Sequence, residues 1–220
     1  MCHQAIACAD DAQRLLVTGQ YAAAAVQLQQ AIGLGLLSAH AHEAWLLIYG
    51  REDVAMNRER AFQLAEEGAR LGCYHCQGVL AFCYWGGYGC DANETRSLEL
   101  AIESSNKGSK YGQLSLGILR QDKELCVLAA SQGLDEAQHS IGTTLFNNGL
   151  GFIENYPEAL QWFQRAAAQG HIRAIFFVAY FFHHGHGVPS DVAIAIQWYR
   201  RAAAAGLARA ECALNELLPV

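Results

Sequence analysis

The residues whose types and spacing could support chemistry fall into two short stretches of the chain. The first stretch holds four cysteines, Cys73, Cys76, Cys83 and Cys90. The Cys73-x-x-Cys76 spacing occurs in zinc sites and in dithiol redox pairs. Free cysteines also serve as small buried hydrophobic side chains. We favour structural thiols here and keep two alternatives, which are zinc or redox chemistry and a disulfide.

The second stretch holds three histidines within four residues, His183, His184 and His186, next to the glycines Gly185 and Gly187. Imidazole is a common ligand of transition metals, and clustered histidines can also respond to pH. The adjacent sequence fixes no fourth ligand and no supporting carboxylate. We therefore favour a solvated loop and keep a weak metal site or pH-sensitive site as the alternative.

Motifs of the common enzyme classes are missing from the sequence. The chain has no Walker lysine loop, no Gly-x-Ser-x-Gly elbow and no His-Glu-x-x-His helix. Its Gly-x-Gly pairs stand between predicted helices, whereas a dinucleotide fingerprint follows a β-strand. We therefore expect no catalytic residue and no cofactor, in a protein that is not an enzyme.

Composition and charge narrow the class of protein further. Hydrophobic residues make up 52% and charged residues 16% of the 220 residues, which excludes a disordered chain. Asp and Glu number 21 against 15 Lys and Arg, with no basic stripe, so nucleic acid is not an expected partner. We find no export signal and no apolar run of membrane-spanning length, and we expect a cytoplasmic protein with mostly free thiols.

A repeat organises the elements that would position these residues. Glycines suited to end helices recur at intervals of 36, 25, 37 and 36 residues, at Gly72, Gly108, Gly133, Gly170 and Gly206. Four of these glycines follow, by fifteen residues, an Asn or Asp that can cap a helix: Asn57, Asn93, Asn155 and Asp191. Gly-x-Gly turns stand before three of the caps, at residues 87–89, 149–151 and 185–187. Each unit therefore predicts a helix, a glycine turn, a second helix and a glycine stop.

The two helices of each unit repeat their core positions. In the first helix, Cys76 and Cys83 take places that are Ala174 and Phe181 in the last unit, which is why structural thiols are favoured. The second helix carries a large apolar residue eight positions before its glycine, at Leu64, Leu100, Leu125, Trp162 and Trp198. We expect this residue to fill the groove between helices.

This pattern, A-x-x-x-L-G-x-x-Y-x-x-G-x-G-V-x-x-D-x-x-x-A-x-x-W-Y-x-x-A-A-x-x-G, resembles the Sel1-like repeat, a relative of the tetratricopeptide repeat. The match is strongest over 174–206, then 137–170 and 76–108. The resemblance implies an all-α fold, a right-handed α-α superhelix or solenoid of about eleven helices, and a bacterial origin. We expect one solenoid domain over 1–220, composed of a tetratricopeptide-like hairpin at 3–34, Sel1-like repeats at 35–72, 73–108, 109–133 (shortened), 134–170 and 171–206, and a capping helix at 207–220.

The resemblance also implies a function. The family lines a concave groove with the first helix of each repeat, and aromatic side chains in a concavity anchor partner proteins. The positions expected to contact a partner protein or peptide are Phe82, Trp85, Asn147, Asn148, Arg173, Phe177 and Tyr180. We predict a non-enzymatic scaffold or adaptor. Two alternatives stay open: a metal- or redox-responsive regulator that uses the His183–His186 turn or the Cys73–Cys90 cluster, and an immunity protein that neutralises a bacterial toxin.

Overall fold

The computed structural model describes residues 2–147 and 154–218, which form thirteen α-helices. In chain order they are α1 (Cys2–Val17), α2 (Tyr21–Gly33), α3 (Leu37–Tyr49), α4 (Arg58–Arg70), α5 (Tyr74–Gly86), α6 (Glu94–Asn106), α7 (Lys110–Arg120), α8 (Lys123–Ser131), α9 (Asp135–Asn147), α10 (Tyr156–Ala168), α11 (Ile172–His184), α12 (Val192–Ala204) and α13 (Ala208–Leu217). These ranges contain one isolated β-bridge and no β-strand. None of the described helices is both long and apolar enough to cross a bilayer.

Successive helices pack as hairpins, because the turns between them are short and each helix carries one apolar face. The hairpins fall into two compact units. Unit 1 covers residues 1–132 and holds α1 to α8, and unit 2 covers residues 133–220 and holds α9 to α13. Within unit 1 the first helices α3, α5 and α7 also contact one another.

The helix count of thirteen exceeds the expected eleven, and the shortened segment at 109–133 forms a complete hairpin. Its helices α7 and α8 are joined by Gln121, whose φ of 55° is left-handed, and by Asp122. The Asp122 carboxylate accepts the backbone N–H groups of Glu124 and Leu125 at 2.9 and 3.2 Å and so caps α8. Two residues therefore replace the longer glycine turn of the other units.

The predicted helix caps are confirmed. The side chains of Asn57, Asn93, Asn155 and Asp191 each accept the backbone N–H three residues ahead, at 3.0, 2.9, 3.3 and 2.9 Å. All five closing glycines have a positive φ between 73° and 88°. Local sequence thus sets where these helices begin and end.

The Gly-x-Gly turns pack directly against the backbone of a neighbouring hairpin. Gly187 has a φ of 71°, and a Cβ atom at this position would lie 2.7 Å from the backbone nitrogen of Pro157. Gly89 has a φ of 77° and would meet the backbone of Arg58 at the start of α4 in the same way. Both turns therefore require glycine for conformation and for space. The turn at 149–151 lies outside the described residues.

The core positions predicted for the first helices are confirmed. Cys76 and Cys83 in α5 are fully buried, as are the corresponding Ala174 and Phe181 in α11. The small side chain at the first of these positions lets the preceding hairpin approach closely. An added Cβ atom on Gly68 of α4, for example, would overlap the Cys76 side chain.

The core position predicted for the second helices is correct for Leu64 and Leu100 and wrong for the last two hairpins. Leu64 and Leu100 are buried, but Trp162 and Trp198 are only half-buried. The adjacent residues Phe163 and Tyr199 fill the core instead.

The Trp162 and Trp198 indoles lie along the outer side of their helices. Arg165 and Arg201 stack over these rings at 4.5 and 5.4 Å. Burial of one ring leaves its neighbour about 100° away around the helix. At the same position Leu125 is half-buried, and the adjacent Cys126 is buried.

Candidate functional site

The two aromatic residues predicted as partner contacts in unit 1 have different surroundings. The expectation of an exposed Phe82 is wrong, because its side chain is fully buried. Its ring packs against Trp45 of the preceding hairpin at 4.9 Å and against Tyr88 of the glycine turn at 5.5 Å. Trp85, one turn further along α5, is 39% exposed and can contact a partner.

In unit 2 the structure brings together a larger group of aromatic side chains, which we call the aromatic patch. Its members are contributed by α9, α10, α11 and the following turn, and all are half-buried or exposed: Phe146, Tyr156, Phe177, Tyr180, His184 and His186. Phe146 lies centrally, with ring centroids 6.2 Å from Phe177 and 5.9 Å from Tyr180. The predicted residues Phe177 and Tyr180 therefore lie in one surface.

Buried rings beneath the aromatic patch hold its members in place. Phe177 stacks on the fully buried Phe163 of α10, with centroids 4.6 Å apart and planes 4° from parallel. Phe146 contacts the buried Phe181 of α11 at 5.4 Å. Aromatic pairs at these distances add about 0.5–1.5 kcal/mol beyond the area they bury. The rings of the patch are thus fixed before any partner arrives.

The middle residue of each described glycine turn folds back over an aromatic ring of the preceding helix. His186 stacks on Tyr180 at 5.6 Å with planes 25° apart, and it also contacts Tyr156 at 4.8 Å. In the same way Tyr88 stacks on Phe82. The expected solvated loop at residues 183–187 is therefore partly packed, with His186 half-buried.

The three histidines of this turn do not converge on one point. Among the described residues, the grouping of side chains with ligand spacing is Glu136, His139 and His171, and the turn histidines form no such group. His183 and His184 stack on each other at 4.3 Å. Burial, together with the charges of His183 and His186, lowers the pKa of His184. The structure gives the metal hypothesis no support at this turn.

The Glu136 group is a buried, paired network. The His171 Nδ1 atom accepts the backbone N–H of Ala174 at 3.1 Å, so the ring proton is on Nε2 and is donated to Glu136 Oε2 at 2.8 Å. Arg173 donates to both Glu136 carboxylate oxygens at 3.0 Å. Burial alone would raise the pKa of Glu136, but the His171 hydrogen bond and the charge of Arg173 hold it at about 2.

This network does not suit a metal ion, although its ligand atoms lie within 4.8 Å of one another. A metal on His171 Nε2 would require the proton on Nδ1, where the helix-capping bond to Ala174 needs a lone pair. Arg173 already satisfies the carboxylate of Glu136 and would repel a cation. We interpret Glu136, His171 and Arg173 as a structural link between α9 and α11.

Two of the remaining predicted contacts, Asn147 and Arg173, belong to helices that carry the aromatic patch. Arg173 has a side chain that is 46% exposed, and it extends from the buried network to the surface. Asn147, the last residue of α9, is exposed next to Phe146. Asn148 lies outside the described residues. The structure therefore places Asn147 and Arg173 on the helices that carry the patch.

Cavities border both sets of aromatic residues. Beside Trp85 is a cavity of about 440 Å³ that is also lined by Ala92, Glu94, Ile118 and Leu119. On the other side of Tyr180 a cavity of about 370 Å³ extends towards α13. A further groove of about 730 Å³ lies between α4 and α6, and four glutamates line it together with two arginines.

Four members of the patch are not among the predicted partner contacts. Phe146 directly precedes the predicted Asn147, Tyr156 follows a helix cap, and His184 and His186 belong to the expected solvated loop, for which a metal or pH-sensitive site is the alternative. The parallel between Tyr88 and His186, each between two turn glycines, is a signal that could have identified the stacking role. The contacts of Phe146 depend on α10 and α11 and have no counterpart in its local sequence.

One protein family matches this chain. A model of the Sel1 repeat matches residues 39–73, 75–109, 135–171 and 172–207, which is more than half of the chain. The N-terminal hairpin and the α7–α8 hairpin lie outside these matches, and their assignment as repeats stays a prediction. No curated protein sequence matches this chain significantly.

Solved structures share the fold at low sequence identity. The protective antigen c5321 of uropathogenic Escherichia coli, which displays an SLR fold, is 24% identical, with a TM-score of 0.59 over 88% of this chain and 43% of that one. A Sel1 repeat protein from Oxalobacter formigenes is 21% identical, with a TM-score of 0.58 over 98% of this chain and 66% of that one. The immunity protein PA5088 from Pseudomonas aeruginosa is 20% identical, with a TM-score of 0.53 over 79% and 66%. This chain spans less than two thirds of each neighbour's length. At these identities the likeness concerns the fold alone, and the predicted all-α solenoid class is confirmed.

Proposed function

The chain belongs to the Sel1 repeat family, and from this premise we propose that it is a non-enzymatic scaffold that binds a partner protein or peptide through the aromatic patch of unit 2. The observation that carries the proposal is a group of six half-buried or exposed aromatic and imidazole rings in contact with one another. The proposed role needs no catalytic step and no cofactor.

Preformed aromatic surface favours binding because little conformational entropy is lost on association. Phe177 is held from beneath by the buried Phe163, and Tyr180 packs against Phe146 within the patch. Ordering a free side chain at an interface costs about 0.5–1.5 kcal/mol, and these rings are already ordered. Large rings of this kind are the usual sites where a few residues carry most of the binding free energy.

Polar groups at the margin of the patch would select the partner. Arg173 carries a positive charge to the surface, and its pairing with Glu136 fixes the direction of the guanidinium. Asn147 offers an amide that can pair with a peptide backbone. A partner with carboxylate or carbonyl oxygens beside an apolar side chain fits this arrangement.

The test compares three forms of the full chain as bait in a lysate of the source organism. The first is the wild type, the second is a Phe177→Ala/Tyr180→Ala variant, and the third is Trp162→Ala. Trp162 is a matched control because it is a half-buried ring of the same unit on the outer side of α10. Circular dichroism checks that each variant keeps its helices.

We expect a specific partner to be retained by the wild type and by Trp162→Ala and lost by the double variant. A partner that survives in the folded double variant would move the interface away from the patch. Failure of the wild type to retain any protein would count against the scaffold role itself.

Two more specific hypotheses, the immunity protein and the metal- or redox-responsive regulator, stay predictions. An immunity role matches the name of one structural neighbour, the immunity protein PA5088, and at 20% identity that neighbour shows the fold alone. A cytoplasmic location and a bacterial origin are likewise part of the proposal and rest on the sequence. Cell fractionation would test the cytoplasmic location, and a toxin-protection assay would test the immunity role.

A further inference from the structure

We propose that Cys73 and Cys76 form a reversible dithiol–disulfide site at the start of α5, oxidised by small disulfides such as oxidised glutathione. This inference concerns unit 1 and does not depend on the proposed binding function of unit 2. It assigns a chemical activity to one of the two sequence stretches singled out above.

The position of the two residues brings their sulfur atoms together. Cys73 is the residue before α5, and Cys76 lies in the first turn of that helix. The two thiols lie close enough to shift each other's pKa. Residues three apart across a first helical turn have Cα atoms within the separation of about 4.4–6.8 Å that a disulfide spans. Oxidation therefore requires little movement of the backbone.

The helix terminus gives the two sulfurs unequal chemistry. The Cys76 thiol, and then the backbone N–H groups of Cys76 and His75, stabilise a thiolate on Cys73. Burial works against this effect, and the net result lowers the pKa of Cys73 to about 6. The same interaction between the two thiols, together with burial, raises the pKa of Cys76. One sulfur is thus the nucleophile, and the other keeps its proton until the second step.

The exposed fractions of Cys73 and Cys76 agree with these two roles. Cys73 keeps 7% of its surface exposed, whereas Cys76 is fully buried behind α4, with its sulfur 3.6 Å from the Leu37 carbonyl. On the outer side, Tyr74 and His75 stack on each other at 4.2 Å. A small disulfide approaching past these rings reaches Cys73 first.

Packing explains Cys76, and at the Cys73 position packing does not require a thiol. Cys76 occupies the small-residue position of the first helix, which Ala174 fills in the last unit. The other hairpins carry leucine, serine or histidine at the Cys73 position and no cysteine: Leu36, Ser109, Leu134, His171 and Leu207. The repeat therefore has no need of a thiol there. Cys83 and Cys126 provide a contrast, since burial raises their pKa to about 12 and about 11.

The proposed reaction is thiol–disulfide exchange in two steps. The Cys73 thiolate attacks one sulfur of oxidised glutathione, the bond between the two glutathione sulfurs breaks, and one glutathione leaves as a thiolate. Cys76 then gives up its proton, and its sulfur attacks Cys73 and displaces the second glutathione. Two cysteine thiols become one disulfide, one glutathione disulfide becomes two thiols, and the two cysteine protons end on glutathione.

The test equilibrates the full chain in buffers of reduced and oxidised glutathione, quenches it with acid, alkylates the free thiols and maps the peptides by mass spectrometry. We expect a disulfide between Cys73 and Cys76 that forms in oxidising buffer and disappears in reducing buffer. Cys76→Ser should accumulate glutathione on Cys73, because the second step is blocked. The control Cys126→Ala, in another helix of unit 1, should leave the disulfide unchanged.

A second measurement follows alkylation by iodoacetamide against pH, with the exposed Cys212 as an internal reference. We expect the rate at Cys73 to reach half its maximum near pH 6, because its pKa is lowered to about 6. The proposal is overturned if the folded wild type forms no Cys73–Cys76 disulfide in fully oxidised buffer. Equal pH dependence at Cys73 and Cys212 would overturn it as well.

Discussion

His139 lies in an unusual environment for a titratable side chain. It stacks on His171 at 4.6 Å and packs against Phe163 and Phe177. Neither of its ring nitrogens has a hydrogen-bond partner within the described part of the chain. Burial, and then the adjacent His171, lowers its pKa to about 3. The ring is therefore held neutral, at the cost of two unsatisfied nitrogen atoms.

This environment predicts a specific acid sensitivity. The unfolded chain binds a proton at His139 near pH 6.5, whereas the folded chain does so only near pH 3, so the free energy of unfolding falls as the pH drops between these values. From pH 7 to pH 4 the loss from this residue is about 3 kcal/mol. His139→Phe should remove that part of the pH dependence and stabilise the protein at pH 7 by about 1 kcal/mol.

Chemical denaturation at a series of pH values measures the effect. His3→Phe, a change at an exposed histidine, is the control and should follow the wild type. An unaltered pH dependence in His139→Phe would show that His139 is not held neutral in the folded protein.

At the scale of single residues, the sequence predicts correctly those side chains whose role depends on residues near them in the chain. Asn57 and Asp191 could be identified as caps because the N–H groups they satisfy lie three residues away. Phe82 could not be judged correctly, because the residue that buries it most closely, Trp45, is contributed by another hairpin. The sequence placed Phe82 on the first helix of its unit, but it could not show how far the adjacent hairpin covers that position.

At the scale of the element, the second helices α10 and α12 each bury one large ring and leave its neighbour on the outer side. In α12 the buried ring is Tyr199, whose hydroxyl lies 3.5 Å from His183 Nδ1. Trp198 is half-buried beneath Arg201. The repeat pattern could locate this Trp-Tyr pair. Which of the two faces inward depends on the rotation of α12 against α11, and apolar spacing alone leaves that rotation ambiguous by one residue.

Two alanine substitutions distinguish the inward ring from the outward one. Tyr199→Ala should lower the free energy of unfolding by about 3–5 kcal/mol, because it leaves a cavity in the core. Trp198→Ala should cost about 1 kcal/mol, since the half-buried indole loses only part of its contact area. Urea unfolding of both variants measures the difference. A larger loss for Trp198→Ala than for Tyr199→Ala would contradict the observed register.

At the scale of the whole chain, the repeat and its helical class could be predicted, because the same helix signals recur several times. The division into compact units at residue 132 could not be predicted. It falls at the end of the shortened hairpin, where α8 has only 9 residues. A short helix offers little area for packing, and the sequence does not state how much area a compact unit requires.

The two units predict a divided response to destabilisation. Each unit has buried residues of its own, such as Leu64 and Leu114 in unit 1 and Phe163 and Tyr199 in unit 2. In hydrogen-exchange mass spectrometry, Tyr199→Ala should reduce protection of α11 and α12 at least tenfold and leave α4 and α5 within about twofold of the wild type. Equal loss in both units would show that the chain unfolds as a single cooperative body.

The glycine turns have a consequence for how such a protein could be diversified. In the turns that end α5 and α11, the flanking glycines fix the backbone, while the middle residue, Tyr88 or His186, covers an aromatic ring of the helix before it. The backbone conformation and the contact surface thus depend on different residues of the same three-residue segment. A combinatorial library at position 186 would alter the chemistry of the surface while every scaffold interaction of Gly185 and Gly187 is retained. Natural variation and protein engineering have the same starting point at these two turns, which is the one side chain between the glycines.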